Sequence, residues 1–325
     1  MMQIGLIGIG AGAAAGLLFA SVTSGVWLSI PLFYLAPLPI MIAGLGWSHW
    51  AALTGALAAS LTLGIVFGWV FFFAFLAGAG IPAWWLCYLA MLARPATQGA
   101  NGRSAAALEW YPPGRLVVWA ALLGFLIVLV AIPNFGTDAE SFRAGLKAAL
   151  GQMLRIQGGA LADVTAPGTT NVERLIDFLV SAIPPAAAVL ATITNVLNLW
   201  LAARVVKFSG RLTRPWPPLS AMTFPRATAA ALAAAIALSF LNNLVGIVAG
   251  VLSASLLMAY GVLGFAVLHA VTLGIGSRAF VLAGVYAAVI VLGWPVLALC
   301  LLGLIETAID LRARIARKRG PPAPL

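Results

Sequence analysis

The side chains best suited to chemistry are amides, a hydroxyl and an imidazole that lie within apolar stretches of the chain. They are Thr192, Asn195, Asn198, Asn242, Asn243 and His269. Thr192, Asn195 and Asn198 advance three residues at a time, so they occupy one face of a helix. A polar group in hydrocarbon needs a partner, which is either a neighbouring helix or a bound ligand. Both interpretations stay open, and these six are the predicted ligand-binding positions.

Signatures of catalysis and of metal binding are missing from the sequence. His49 and His269 belong to no metal-ligand spacing, and neither a nucleophile elbow nor a phosphate-binding glycine loop occurs. Cys87 and Cys300 lie in apolar runs, which favours space filling over a disulfide. We therefore predict no enzymatic activity, no catalytic residues, no cofactor and no metal.

The composition indicates an integral membrane protein. Of 325 residues, 63% are hydrophobic and 8% are charged, and the mean hydropathy is +1.07, whereas about a quarter of the residues in a soluble domain are charged. Apolar runs of helical length predict an all-α transmembrane bundle and not a β-barrel. The net charge of +10 resides in loops between these runs, which favours lipid headgroups over nucleic acid as the partner.

The distribution of charge predicts the orientation. The loop 204–226 carries five basic residues and no acidic one, so we expect it in the cytoplasm. Between Asp138 and Asp177 there are five acidic and four basic residues, so we expect the loop 133–175 outside. The basic tail 312–325 is expected inside, as is the N-terminus, and 1–311 form one membrane domain.

The apolar segments predict eight to ten crossings. Pro31, Pro37 and Pro39 indicate a kinked or re-entrant second segment. After residue 226 we expect breaks at Asn242-Asn243, at Gly261–Gly264 and at 276–278. These breaks fit four crossings with Arg278 outside, or two crossings with a re-entrant part.

Two polar patterns predict helices at the membrane surface. Thr137 and Glu140 form a capping-box pattern before an apolar stripe, which indicates an extracytoplasmic amphipathic helix, either an interfacial anchor or a lid. The stripe consists of Phe142, Leu146, Leu150, Met153 and Leu154. Glu306, Asp310 and Arg314, four residues apart, predict that the last helix continues beyond the membrane.

Small residues recur at intervals of four in two apolar helices. The first stripe includes Gly8, Gly12 and Gly16, and the second includes Ala52, Ala56, Ser60 and Gly64. Such stripes allow a second helix to approach closely. They are either a product of composition or docking faces for a partner, and we take them as predicted docking positions.

Four stretches give the chain a resemblance to a known family. They are the small-residue first helix, Pro31-Leu32-Phe33-Tyr34-Leu35-Ala36-Pro37-Leu38-Pro39, Tyr260-Gly261-Val262-Leu263-Gly264 and Gly303-Leu304-Ile305-Glu306-Thr307-Ala308-Ile309-Asp310-Leu311-Arg312. In these the chain resembles the YybS-like bacterial membrane proteins, which are grouped with the substrate-binding S subunits of energy-coupling-factor (ECF) transporters. The resemblance implies an inner-membrane subunit that docks a transmembrane coupling subunit driven by ATPases.

The leading functional prediction is therefore a substrate-binding, transport-type subunit for a small solute. The alternative is a non-transporting scaffold for envelope or membrane-associated assembly. In that alternative the contact surfaces are the loop 204–226 and the basic tail.

Overall fold

A computed structural model describes residues 2–95, 108–157 and 170–319. These residues are nearly all α-helical, as the composition predicted. The predicted loop 133–175 and tail 312–325 lie partly outside the described residues, and so does the side chain of Leu154.

The first part of the chain forms six helices and one strand of a hairpin. They are α1 (Met2–Ala20), α2 (Ser29–Tyr34), α3 (Pro37–Gly46), α4 (His49–Phe67), α5 (Trp69–Phe75), α6 (Ile81–Ala90) and β1 (Ala93–Pro95). A π-helical segment, Leu76–Gly80, joins α5 to α6.

The remaining elements are the second strand and eight helices. They are β2 (Leu108–Trp110), α7 (Pro113–Ala131), α8 (Ala139–Gln157), α9 (Thr170–Phe208), α10 (Arg226–Ser239), α11 (Leu244–Val271), α12 (Arg278–Leu292), α13 (Pro295–Ile309) and α14 (Leu311–Arg319). The strands pair antiparallel, and Arg94 Nε lies 2.8 Å from Glu109 Oε2 across them.

Seven helical spans in the described part of the chain are long and apolar enough to cross a membrane. They are Met2–Ser24, Ser29–Gly46, His49–Phe67, Trp69–Ala90, Pro113–Asn134, Arg174–Phe208 and Leu244–Val271. Three shorter apolar helices, α10, α12 and α13, have 14 or 15 residues each. A helix of 15 residues is about 22 Å long, less than the roughly 30 Å of a bilayer core.

The predicted kink in the second span is confirmed. Pro31 lies in α2 and Pro37 begins α3, while Leu35 and Ala36 separate the two helices. Proline lacks an N–H group and clashes with the preceding turn, so a regular helix is interrupted there.

The breaks predicted after residue 226 are partly wrong. Helices end before Asn242-Asn243 and begin at Arg278, as expected, but α11 continues through Gly261–Gly264. The additional break is at Gly293, which has φ +73°. Gly264 lies within this helix, and the backbone of Leu299 lies so close to it that a side chain there would clash. Glycine in a membrane helix here permits close packing of α13.

The chain divides into two compact units. Unit 1 consists of Met1–Ala120, Ile193–Arg226 and Ala259–Leu325, and unit 2 of Ala121–Thr192 and Ala227–Met258. The core of unit 2 includes Ile132, Phe142, Leu146 and Val180, all at most 7% exposed. The apolar stripe of α8 thus supplies two residues to this core, while Met153 is exposed.

In unit 1, α1 and α4 run parallel and in close contact. A Cβ atom built on Gly12 would lie 2.5 Å from the Gly55 carbonyl oxygen, and Gly16 lies beside Ala59. The absence of side chains lets the two backbones meet, as the small-residue stripe of α1 predicted.

The predicted continuation of the last helix through Asp310 is wrong. Asp310 has φ +49° and ends α13, and α14 begins at the next residue. The Glu306 carboxylate pairs instead with Arg312, whose Nε lies 2.7 Å from Oε1. The left-handed residue turns the chain back, so that Arg312 and not Arg314 reaches the carboxylate.

Candidate functional site

The polar stripe of α9 lies in the protein interior. Thr192 Oγ1 donates to the Ala188 carbonyl at 2.7 Å within unit 2. In unit 1, Asn195 Nδ2 donates to the Ala120 carbonyl at 3.3 Å. These two side chains are at most 1% exposed. They therefore bond backbone groups of the bundle, and the described structure gives them no opening to a cavity.

Asn198 joins two segments of unit 1. Its Nδ2 donates to the Tyr34 and Thr194 carbonyls, each at 2.8 Å. Tyr34 ends α2 just before the proline-induced break, where a backbone carbonyl lacks its helical donor. The Asn198 amide supplies that donor, so its role is to support the broken helix.

The other three predicted ligand residues lie in different places. Asn243 Oδ1 accepts a hydrogen bond of 3.0 Å from the Gly246 N–H at the start of α11, and Asn242 is exposed beside it. His269 is half-buried in unit 1, where its Nε2 lies 3.1 Å from Tyr286 Oη. Of the six predicted residues, Asn242 alone lines the cavity described next.

The small-residue stripes are occupied by the chain's own helices. Gly8, Gly12 and Gly16 are buried against α4. On another face of α4, Ala52 packs against Gly44 and Ala56 against Gly80. Ser60 is fully buried and its hydroxyl donates to the Ala56 carbonyl, while Gly64 lies against Phe72. These positions stabilise unit 1 internally, which corrects their reading as faces available to a partner.

A cavity of about 660 Å³ lies wholly within unit 2. Its walls come from α8, from the first half of α9, from the turn after α10 and from the start of α11. Its polar lining includes Arg143, Lys147, Asp177, Ser181 and Asn242. Its apolar lining includes Phe142, Val180, Ile247 and Val251. Known ligand sites have this size and this mixture of apolar walls with few polar groups.

Two prolines of α9 also line the cavity. Pro184 and Pro185 have no N–H, so the carbonyls of Val180 and Ser181 lack the donor that each would have in a regular helix. All four residues line the cavity. The two prolines therefore leave two backbone carbonyls of cavity-lining residues without their usual helical donors.

Charge at the cavity comes mainly from α8. Lys147 Nζ lies 2.8 Å from Asp177 Oδ1, and both side chains are largely exposed. Arg143, one turn before Lys147, forms no ion pair within the described ranges and is exposed. Two cations and one carboxylate thus face the cavity.

The first turn of α8 is capped by Asp138 and not by the predicted Thr137–Glu140 box. Asp138 Oδ1 accepts hydrogen bonds of 2.9 Å from the N–H groups of Glu140 and Ser141. These bonds, with one from the Ser141 hydroxyl, lower the pKa of the Asp138 carboxyl. Asp138 is preferred because its short carboxylate reaches the free N–H groups directly.

Comparison with protein-family models, curated proteins and solved structures gives no match. Function is therefore argued from the chain's own residues. The residues 2–95, 108–157 and 170–319 contain no group of three histidine, cysteine or acidic side chains that could hold a metal ion.

A second organised region surrounds the loop 204–226 in unit 1. The Arg214 guanidinium is 3% exposed and donates to the carbonyls of Ala90 and Tyr111, each at 2.7 Å. Burial lowers the pKa of Arg214 to about 10, so the side chain remains charged at neutral pH. One arginine thus ties the loop to the end of α6 and to the residue after β2.

Arg312 joins the same loop to the tail. Its guanidinium donates to the Ser220 carbonyl at 2.6 Å and to the Met222 carbonyl at 2.8 Å. The Arg211 guanidinium lies 4.6 Å from the Trp47 ring centroid. The end of α3, the loop and the first residues of the tail therefore meet at one end of unit 1.

Sequence reasoning identified some components of the cavity without locating it. The amphipathic helix α8, which forms one wall of the cavity, was predicted from the sequence as an anchor or a lid. Arg143 and Lys147 were read there only as charge in a balanced loop. Their i, i+4 spacing was the available signal that both lie on one helix face.

Proposed function

We propose that this chain is a multi-pass bacterial inner-membrane protein that captures a small solute in the unit 2 cavity. The observation that carries the proposal is the cavity of about 660 Å³, with its charged groups on two helices and an apolar wall. The proposed role is that of a substrate-binding subunit of the ECF type, in keeping with the resemblance to YybS-like proteins.

The proposed orientation places the loop 204–226 and both termini in the cytoplasm and the loop 133–175 outside. The contacts of Arg312 with the Ser220 and Met222 carbonyls support it, because they require loop and tail to share one side. Helices α12 and α13 add either two crossings or one re-entrant pair, giving ten crossings or eight. Because α11 is unbroken, both totals put Arg278 on the cytoplasmic side, and not outside as the expected four crossings required. Both totals are even, so both termini lie on the same side of the membrane.

On this orientation the cavity lies toward the outer end of unit 2. Its α8 wall belongs to the segment with balanced charge, and α9 begins outside and ends at the basic loop. A solute would thus enter from the exterior. Passage inward would require coupling to a transmembrane partner and ATPases, which the proposal includes.

A pair of tryptophan substitutions on α8 tests solute capture. Ala144 lines the cavity and Ala149 does not, and both are exposed on the same helix. We expect a small molecule to be released, on denaturation, from wild-type and Ala149→Trp protein purified in lipid nanodiscs, and to be absent from Ala144→Trp protein. Mass spectrometry of the released fraction measures this. Identical fractions from all three proteins, at equal thermal stability, would contradict the proposal.

Coupling to a transporter is tested separately by co-purification. A tagged chain extracted in mild detergent is expected to bring down a transmembrane coupling subunit with ATPases. Absence of both, when the cavity still retains its solute, would limit the role to solute binding.

The scaffold alternative is favoured by one specific observation. Arg214 and Arg312 fold the loop 204–226 onto the end of α6 and the tail. The folded loop leaves Arg204, Lys207 and Arg211 exposed. Photo-crosslinking from Lys207 discriminates, since a scaffold would capture envelope proteins and a transport subunit would capture coupling components.

A further inference from the structure

We infer that the cavity ligand is an anionic amphiphile, whose acidic group is held by Arg143 and Lys147 and whose apolar body lies against α9 and α11. This inference rests on the proposed solute capture in unit 2 and names the chemical class of the solute.

The recognition of an anion follows from the placement of charge. Arg143 and Lys147 are separated by one helical turn, so they project from the same side of α8, and both line the cavity. Asp177 pairs with Lys147 at 2.8 Å and fixes its position. No carboxylate in the described part of the chain pairs with Arg143. Its planar guanidinium matches a carboxylate, sulfonate or phosphate group with two parallel hydrogen bonds.

The apolar body follows from the opposite walls. Leu241 is 46% exposed and Pro185 is partly exposed, so both offer apolar surface to the cavity, whereas Val251 is already covered by the protein. Beside them, Pro184 and Ile247 complete an apolar surface. A fully polar solute would lose its hydration there without compensating hydrogen bonds.

Space for the apolar body is provided by α11. Gly250 lines the cavity, and a Cβ atom built there would have its nearest neighbour, Ser239 Cβ, at 4.0 Å. The wall at this position is therefore open rather than packed. An alkyl or aryl group fits there, beside the apolar wall of α9.

A protection experiment tests the ligand class on the whole chain in lipid nanodiscs. Ser181 is exposed and lines the cavity, whereas the native Cys87 and Cys300 are buried. Ser181→Cys is labelled with a hydrophilic maleimide in the presence of decanoate, decanol or decyltrimethylammonium at equal concentrations below micelle formation. The three probes share one tail and differ only in the charge of the headgroup.

We expect decanoate to slow the labelling of Ser181→Cys, with decanol weaker and decyltrimethylammonium ineffective. Adding Arg143→Gln should raise the half-protecting concentration of decanoate about tenfold, the typical effect of one charged hydrogen bond. Arg174→Gln is the control, because Arg174 is an exposed cation on α9 outside the cavity lining.

The outcomes separate the two proposals. Equal protection by all three probes, or a response to Arg174→Gln equal to that of Arg143→Gln, would overturn the anionic class while leaving solute capture in place. If no probe protects, and the Ala144→Trp and Ala149→Trp proteins release the same molecules as wild type, solute capture itself fails.

Discussion

The Glu306 carboxylate and the Arg312 guanidinium form an ion pair of 2.7 Å across the left-handed residue Asp310, and both side chains are at most 16% exposed. Arg312 also donates its backbone N–H to Glu306 Oε2 at 3.0 Å. Its remaining guanidinium nitrogens bind two carbonyls of the loop 204–226. The end of the last apolar helix is therefore fixed to that loop by one charged network.

Removing Arg312 should destabilise the protein strongly. In Arg312→Ala the Glu306 carboxylate remains buried without its partner, and we expect a loss of about 3 kcal/mol or more in the free energy of unfolding. Unfolding in mixed micelles with increasing SDS measures it. Arg317→Ala, at an exposed position, should change it by less than about 0.5 kcal/mol.

A double substitution shows whether the unpaired, buried Glu306 carboxylate causes the loss of stability in Arg312→Ala. Glu306→Gln combined with Arg312→Ala should be less destabilising than Arg312→Ala alone, because no buried charge is left unpaired. Equal losses in the single and double variants would refute the buried-pair account.

Arg214 is predicted to hold the loop 204–226 in place. In Arg214→Ala the carbonyls of Ala90 and Tyr111 lose charged donors. We therefore expect the free energy of unfolding to fall by about 2 kcal/mol or more. Arg214→Lys should not restore it, because an ammonium group lacks the fork that reaches both carbonyls.

The matched control for Arg214 is Arg211→Ala. Its cation–π contact with Trp47 is worth about 0.5–1 kcal/mol at an exposed site. The hydrogen-exchange rates of the backbone amides of residues 211–222 should rise clearly in Arg214→Ala and slightly in Arg211→Ala. The reverse order would show that Arg214 does not organise the loop.

Two glycines of α1 provide a matched test of the α1–α4 contact. A Cβ atom on Gly12 would lie 2.5 Å from the Gly55 oxygen, whereas one on Gly10 would have no neighbour within 4 Å. Gly12→Ala should therefore lower the free energy of unfolding by about 1–3 kcal/mol, because the added methyl group overpacks the contact. Gly10→Ala should be neutral or slightly stabilising. Thermal denaturation in detergent compares the two, and similar midpoints would contradict the close parallel contact.

The cap of α8 gives a pH-dependent signal. The pKa of Asp138 is lowered in the folded state, so its stabilisation is complete above the unfolded pKa of about 3.9 and is lost as the pH falls through the lower, folded pKa. We expect the protection of the Glu140 and Ser141 amides against hydrogen exchange, relative to their intrinsic exchange rates, to fall below about pH 4. Asp138→Asn should cap without this dependence, and an unchanged profile in that variant would assign the signal elsewhere.

Local rules predicted much of the fold because lipid leaves the backbone few alternatives. Composition predicted the helical class, prolines predicted the break between α2 and α3, and the asparagine pair predicted the start of α11. Local rules failed where a distant segment decided the conformation. Gly264 was predicted to break a helix, but it lies within α11 and allows the Leu299 backbone to approach. Asp310 was predicted to be helical, but it is left-handed, and Glu306 pairs with Arg312.

The candidate site was predicted less well, because it depends on which helices come together. The sequence indicated correctly that Asn195 and Asn198 need partners, but backbone carbonyls of Ala120 and Tyr34 supply them. The stripes of α1 and α4 indicated close helix contacts, but the helices contacted belong to the same chain. Because four separated segments of the chain form the cavity, no single sequence pattern predicts it.

We propose a multi-pass membrane protein whose cavity opens outside while the loop 204–226 stays in the cytoplasm. Intact cells expressing Ser181→Cys or Ser209→Cys, two exposed positions, are treated with a membrane-impermeant thiol reagent. We expect labelling of Ser181→Cys in intact cells and of Ser209→Cys only after permeabilisation. Labelling of Ser209→Cys from outside, with Ser181→Cys protected until permeabilisation, would contradict it.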